Sequence, residues 1–128
     1  DSHIGNLFVD NGRTGFYDWA VVGRGPGMRD VAYFMCNSVP TEVRRANEDA
    51  LLRLYRRTLE SHGATLDEAT AREQYRLFSV YSWIAATSTA AMGSKWQPIE
   101  IARAAMTRTT EAIDDVDAVG LLEERLSG

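Results

Sequence analysis

Cysteine is nearly missing from this chain: Cys36 is the only one, so no intramolecular disulfide can staple the fold. Its apolar neighbours Phe34 and Met35 mark it as a small buried hydrophobe rather than a reactive thiol. That usage fits a reducing compartment, and a cytoplasmic protein is the expectation. Also missing is an apolar run long enough for a bilayer. The longest uncharged stretch, Leu77 to Ser94, is interrupted by Ser79, Ser82, Thr87, Ser88 and Thr89, and reads as a buried helix rather than a membrane span. Nor is positive charge in excess. The 14 Lys and Arg against 18 Asp and Glu leave a formal charge of −4, which gives no long-range attraction to nucleic acid or an anionic membrane. Neither is an expected partner. No repeat or low-complexity tract is present.

What is there is ordinary for one globular domain: 128 residues, 45% apolar and 25% charged, enough for a real hydrophobic core. The chain starts at Asp1 and enters strand-like sequence at once, with no charged-then-apolar leader, so it reads as a piece of something larger.

Leu7-Phe8-Val9 and Thr14-Gly15-Phe16-Tyr17-Asp18-Trp19 are short apolar runs separated by Asp10-Asn11-Gly12-Arg13. Asn-Gly between two such runs predicts a hairpin, because both residue types tolerate positive φ. Gly23-Arg24-Gly25-Pro26-Gly27 then breaks regular structure. Met28 to Asn37 predicts a short apolar helix, ended by Pro40. From Thr41 to His62 the residues Val43, Ala46, Ala50, Leu51, Leu54 and Tyr55 recur at helical spacing opposite Arg44, Arg45, Glu48 and Arg53, which predicts an amphipathic helix stopped by Gly63. Thr65 and Glu68 have capping-box spacing for a helix running to Met92, with a second half apolar on nearly every face. Ile99 to Val116 carries Ile99, Ala102, Met106, Thr109 and Ile113 on one stripe, and Val119 to Leu126 is a last short helix. A hairpin followed by segregated helices predicts an α+β, mostly α domain. A hairpin alone is marginal, so it must dock on the helices or on another lobe.

The residues with chemistry are Asp1, Asn6 and Asp18. The first two lie in a loop running into the first strand, the third ends the second, and a hairpin brings all three to one end. Phosphoryl transfer from ATP needs an aligned acceptor hydroxyl and a divalent metal that neutralises phosphate charge. Asp and Asn oxygens suit Mg²⁺, which keeps several waters and needs few protein ligands.

Asp1-Ser2-His3-Ile4-Gly5-Asn6 resembles the tail of the His-Gly-Asp-x-His-x-Gly-Asn catalytic loop of the aminoglycoside phosphotransferase and ecdysteroid-kinase-like superfamily, which includes choline-kinase-like enzymes. Asp18-Trp19 is similar to that superfamily's metal-binding Asp. The glycine break followed by Met28-Arg29-Asp30-Val31-Ala32 is similar to its next segment, where an Asp-Leu-Ala-like helix start follows a glycine. The similarity continues more weakly to about Gly120. It implies a protein-kinase-like C-terminal lobe, with the catalytic loop and metal-site hairpin at residues 1–22 and a helical subdomain at 28–126. It also implies an ATP-dependent phosphotransferase acting on a small hydroxylated molecule. Asp1 would accept or orient the hydroxyl proton, Asn6 and Asp18 would hold Mg²⁺ and thereby ATP, and Asp30 would brace the catalytic loop. The His-Gly before Asp1, the nucleotide-covering loop, its lysine and that lysine's glutamate partner are not in these residues. The N-terminal nucleotide lobe is therefore an expected partner from the same parent chain, and these 128 residues are expected to be inactive alone.

Other features carry plainer readings. Gly23-x-Gly25-x-Gly27 lacks the Gly-Lys-Ser/Thr ending of a P-loop and reads as a flexible turn. His3 either meets phosphate or substrate, or fixes the loop backbone, and the second is favoured. Tyr81, Trp83 and Trp96 either wall an acceptor pocket or pack in the core. Arg53, Arg56 and Arg57 read as a solvated face. Without an obvious acidic cluster for a polycation, a less charged acceptor is expected. The competing class is a non-catalytic binding or self-association module that exposes an apolar surface.

Overall fold

The computed structural model describes all of residues 1–128. A 3₁₀ turn at Ile4–Asn6 leads into the hairpin strands β1 (Leu7–Asp10) and β2 (Arg13–Phe16). Five helices follow: α1 (Met28–Asn37), α2 (Thr41–Ser61), α3 (Glu68–Ala91), α4 (Ile99–Asp115) and α5 (Ala118–Ser127). The domain is α+β and mostly helical, as expected.

The hairpin is antiparallel, pairing Leu7 with Phe16 and Asp10 with Arg13. Its two-residue turn places Asn11 at φ 48° and Gly12 at φ 76°, the doubly positive geometry whose twist matches that of the strands. The Phe8 ring lies over the bare Cα of Gly15, where any side chain would collide with it. The hairpin makes no extensive contact with any helix. It is held through the loop before it, where Ser2 Oγ donates to the Asp30 carbonyl (2.8 Å) and the Ile4 N–H donates to Ser38 Oγ (2.9 Å).

The helical core is built around α3, which packs against α1 and α4 and receives α5. Its buried side chains are mostly small: Ala71, Ser79, Ser82 and Ala86, with Tyr75 the large exception. On α4 they are Ala102, Ala105, Thr109 and Ala112. Short side chains let the two helices approach closely. The buried hydroxyls stay satisfied by their own helix, Ser79 Oγ donating to the Arg76 carbonyl (2.7 Å) and Thr109 Oγ1 to that of Ala105 (2.9 Å). Met28, Met35, Cys36 and Leu52 complete the central cluster with Tyr75.

Three sequence-based expectations are corrected. The cap of α3 is Asp67, whose carboxylate accepts from the Thr70 N–H (2.9 Å) and the Thr70 hydroxyl (2.7 Å); Thr65 stays outside the helix, and Glu68 instead pairs with Arg72. A carboxylate is the stronger acceptor for orphan donors at a helix start. The second half of α3 is not buried all round, because Tyr81 and Ile84 are exposed while Ser79 and Ser82 point inward. The α4 stripe holds at Ala102 and Thr109, both fully buried, while Met106 is partly exposed and Ala105 and Ala112 are also inside.

The third correction concerns α2, whose expected apolar stripe faces outward: Val43 and Leu54 are about half exposed. The helix docks instead through Leu52 and Arg44, the latter 1% exposed. Arg44 donates to Glu48 (2.6 Å) and to Asp115 of α4. Arg45 also reaches Asp115, at 2.7 and 3.0 Å, and Tyr75 O–H donates to Glu48 (2.9 Å). A buried guanidinium survives only when its donors are met by charged acceptors, and two carboxylates supply them. The net effect favours the charged form: burial opposes it, and the hydrogen bonds that Arg44 donates to Asp115 and Glu48 outweigh burial.

Candidate functional site

The loop 1–6 is fixed from within. His3 caps the 3₁₀ turn, its Nδ1 accepting from the Gly5 N–H (3.0 Å). Tyr17 O–H donates to the Gly5 carbonyl, and Tyr17 N–H donates to the Asn6 carbonyl (3.0 Å), tying the loop to the segment just after β2 that carries Asp18. Asn6 is buried, and its Nδ2 donates to the Asp1 carbonyl (2.8 Å). His3 therefore has the backbone-fixing role. Its Nε2 lies 3.8 Å from an Asp1 carboxylate oxygen. Burial lowers its pKa, the α-ammonium of Asp1 adds to this, and Asp18 opposes it.

The hairpin brings Asp1 and Asp18 together as expected. Both line a cleft of about 250 Å³ whose walls include Tyr17, Trp19, Arg29 and Asp30. Asp18 has φ 59°, left-handed backbone that Asp and Asn tolerate better than other side chains. Asn6 lies beneath Asp1 rather than on the cleft wall. No three carboxylate, imidazole or thiol groups converge anywhere in the chain. Asp18 shares the cleft wall with Asp1 and Asp30, and Asn6 Oδ1, outside that wall, accepts no hydrogen bond within the chain. Carboxylate and amide oxygens are the ligand type Mg²⁺ takes, and it retains most of its waters.

Asp30 braces the loop, but through its backbone carbonyl, which takes the Ser2 hydroxyl. Its carboxylate is half exposed and 3.9 Å from Arg29 Nε. Asp30 thus meets the loop by a hydrogen bond through its main chain rather than its carboxylate, and Ser2 and Ser38 are the loop-holding side chains that sequence reading missed.

A second cavity of about 220 Å³ lies on the other side of Asp1, between the loop and the helices α1, α3 and α4. Asp1 and His3 form one wall, and Tyr33, Asn37, Trp96 and Gln97 are among the residues facing them. Of the three aromatic residues expected at an acceptor pocket, only Trp96 lines it. Trp83 Nε1 donates to Thr110 Oγ1 (3.1 Å) and packs α3 against α4. Tyr81 stacks at a tilt on Tyr33, centroids 5.8 Å apart, with the Arg29 guanidinium 5.9 Å from its ring. Arg29, Asn37 and Gln97 were not legible as site residues. Nothing in their spacing links them to Asp1; only the packing of the helices does.

Compared with known proteins, the chain matches no family model, no curated protein and no solved structure.

Proposed function

We propose that these residues are the C-terminal catalytic and substrate-binding lobe of an ATP-dependent phosphotransferase whose acceptor is the hydroxyl of a small molecule. The observation that carries this reading is the placement of Asp1, which lines both cavities. One holds Asp18 and opens toward solvent beside Trp19 and Arg29. The other is the mixed-polarity space lined by Trp96. A single carboxylate between a metal-competent cleft and a small-molecule cavity suits in-line transfer, in which one group orients the attacking hydroxyl while charge on the phosphate is neutralised opposite. In this reading Asp1 accepts or orients the hydroxyl proton. Asn6 holds Asp1 in place through the Asp1 carbonyl, and its free oxygen with Asp18 would hold Mg²⁺. The ion supplies charge neutralisation of the phosphates. Arg29 adds positive charge to the same cleft. The resemblance of the Asp1–Asn6 loop, Asp18-Trp19 and the glycine break to the kinase-like superfamily supports the same assignment.

The test is ADP release by the longer parent chain, carrying the upstream nucleotide lobe, against pooled alcohols with Mg²⁺-ATP. Turnover that disappears in Asp1→Asn supports the reading. Failure of the parent to bind Mg²⁺-ATP in calorimetry overturns it.

A specific observation favours the second reading, a non-catalytic binding or self-association module. Phe8, Val9, Phe16, Trp19, Val21 and Val22 are all exposed around the hairpin and the loop after it, Trp19 by 64%. Apolar surface of this extent on one side of a small domain marks an interaction face. In the phosphotransferase reading the nucleotide lobe covers it.

A further inference from the structure

We propose that the cavity between the catalytic loop and α4 is a subsite for a sugar or polyol, with Trp96 as the stacking platform and the side-chain amides of Asn37 and Gln97 reading its hydroxyls. That the bound hydroxyl is phosphorylated rests on the function proposed above; the ligand class rests on the cavity itself.

Size excludes one class. At about 220 Å³ the cavity falls below the roughly 300–1,000 Å³ of pockets that enclose drug-sized ligands, so it holds a single small ring and not a sterol. Polarity then selects among small acceptors. The Asn37 and Gln97 side chains are both half-buried, and neither amide makes a hydrogen bond within the chain; the Arg108 contact at Asn37 uses the backbone carbonyl. Both amides are open to water and so free to meet a ligand, and an amide offers a donor pair beside an acceptor. That pattern matches neighbouring hydroxyls, each of which also donates and accepts.

The aromatic arrangement points the same way. Trp96 lines the cavity and is 65% exposed, which leaves its indole accessible to the C–H face of a sugar ring. A quaternary ammonium binds best inside an aromatic cage. Here the second aromatic, Tyr33, is already engaged by Tyr81, and the Arg108 guanidinium reaches the Asn37 carbonyl at 3.4 Å, placing positive charge at the cavity end. Asp1 is the one carboxylate on the wall, enough to take a hydroxyl proton but few for holding a polycation.

The experiment is saturation-transfer NMR on the 128-residue chain with D-glucose and myo-inositol as probes and choline as the cationic control. Saturation of ring C–H protons is expected for the sugar or the polyol and not for choline. Trp96→Ala should weaken that binding about tenfold, equivalent to 1.4 kcal/mol, and Gln97→Ala should weaken it severalfold. Neither residue is buried in the core, and an unchanged circular dichroism spectrum confirms that both variants fold. Absence of sugar and polyol binding at tens of millimolar overturns the proposal, as do a preference for choline or indifference to Trp96→Ala.

The phosphorylation assay on the parent chain separates this from the function it rests on. Trp96-dependent sugar binding with no ADP release from any alcohol would remove the phosphotransferase reading and leave the subsite. Turnover confined to choline or a sterol alcohol would remove the subsite and leave the enzyme.

Discussion

Asp18 sits at φ 59° two residues past the second strand, which ends at Phe16 rather than at Asp18 as expected, and its side chain accepts only a long 3.4 Å contact from the Ala20 N–H. Asn is at home in left-handed backbone, so Asp18→Asn changes charge without straining the chain. Under the proposed phosphotransferase function, the expected outcome in the longer parent chain is loss of turnover by at least about a hundredfold, as when an electrostatic group that acts in the transition state is removed, with a melting temperature within error of wild type. Retained activity would refute the metal assignment. At His3 the prediction concerns pH. Its Nδ1 must be unprotonated to accept from Gly5, and burial, helped by the Asp1 α-ammonium, lowers its folded pKa below the ordinary 6.5. A lowered histidine pKa means the unfolded loop binds the proton first. The stabilisation is therefore complete above pH 6.5, declines as pH falls below it, and is fully lost below the folded pKa. Hydrogen exchange at the Gly5 amide should accelerate across that window and lose its pH step, beyond the intrinsic exchange rate, in His3→Ala. Cys36 stays inert: it is fully buried, and burial pushes its thiol up to about 11 against the Tyr75 and Arg44 contacts.

Among the elements, the α2–α4 clasp and the hairpin turn carry separable predictions. Asp115 is held below the usual carboxylate range, first by its hydrogen bond from Arg45 and also by Arg44, with burial opposing. Its contribution is present above the ordinary value of 3.8 and is lost as pH falls through the lowered folded value. Asp115→Ala leaves the buried Arg44 guanidinium with Glu48 alone and should cost about 3 kcal/mol in urea unfolding, the scale for breaking one side of a buried pair. A cost under about 0.5 kcal/mol would place the clasp with ordinary surface ion pairs. In the hairpin, Gly12→Val puts a β-branched residue at φ 76°, which such residues resist. Amide exchange in β1 and β2 should rise while the helical circular dichroism is retained, because the hairpin is tied to the helices only through Ser2 and Ser38.

For the whole molecule, the consequence of the exposed hairpin face is association. Sedimentation velocity on the 128-residue chain should show a concentration-dependent shift that Trp19→Lys with Val22→Lys removes; adding the upstream nucleotide lobe should remove it too if that lobe covers the face. A monomer at all concentrations would dispose of the self-association reading. The order hairpin, glycine break and helices was legible in sequence because it rests on local chemistry. Asn11-Gly12 prefers positive φ, Pro40 cannot continue a helix, and Gly63 closes α2 with its own N–H on the Glu60 carbonyl (3.0 Å). Asp1 beside Asp18 followed from the same hairpin. Which face of a helix is buried did not follow. Periodicity put Val43, Leu51 and Leu54 inside, yet all three are exposed and Arg44 is buried, because Glu48 and Asp115 satisfy its charge and Asp115 comes from a helix 71 residues away. In the same way Ser79 and Ser82 are buried in place of Tyr81 and Ile84, since close helix approach rewards small side chains over apolar ones. Sequence by itself determined the elements, their order and the carboxylates at the hairpin end, all set by interactions within a few residues. The second cavity, with Asn37, Trp96 and Gln97 gathered opposite Asp1, was decided only by tertiary packing, because no local preference relates residues so far apart in the chain.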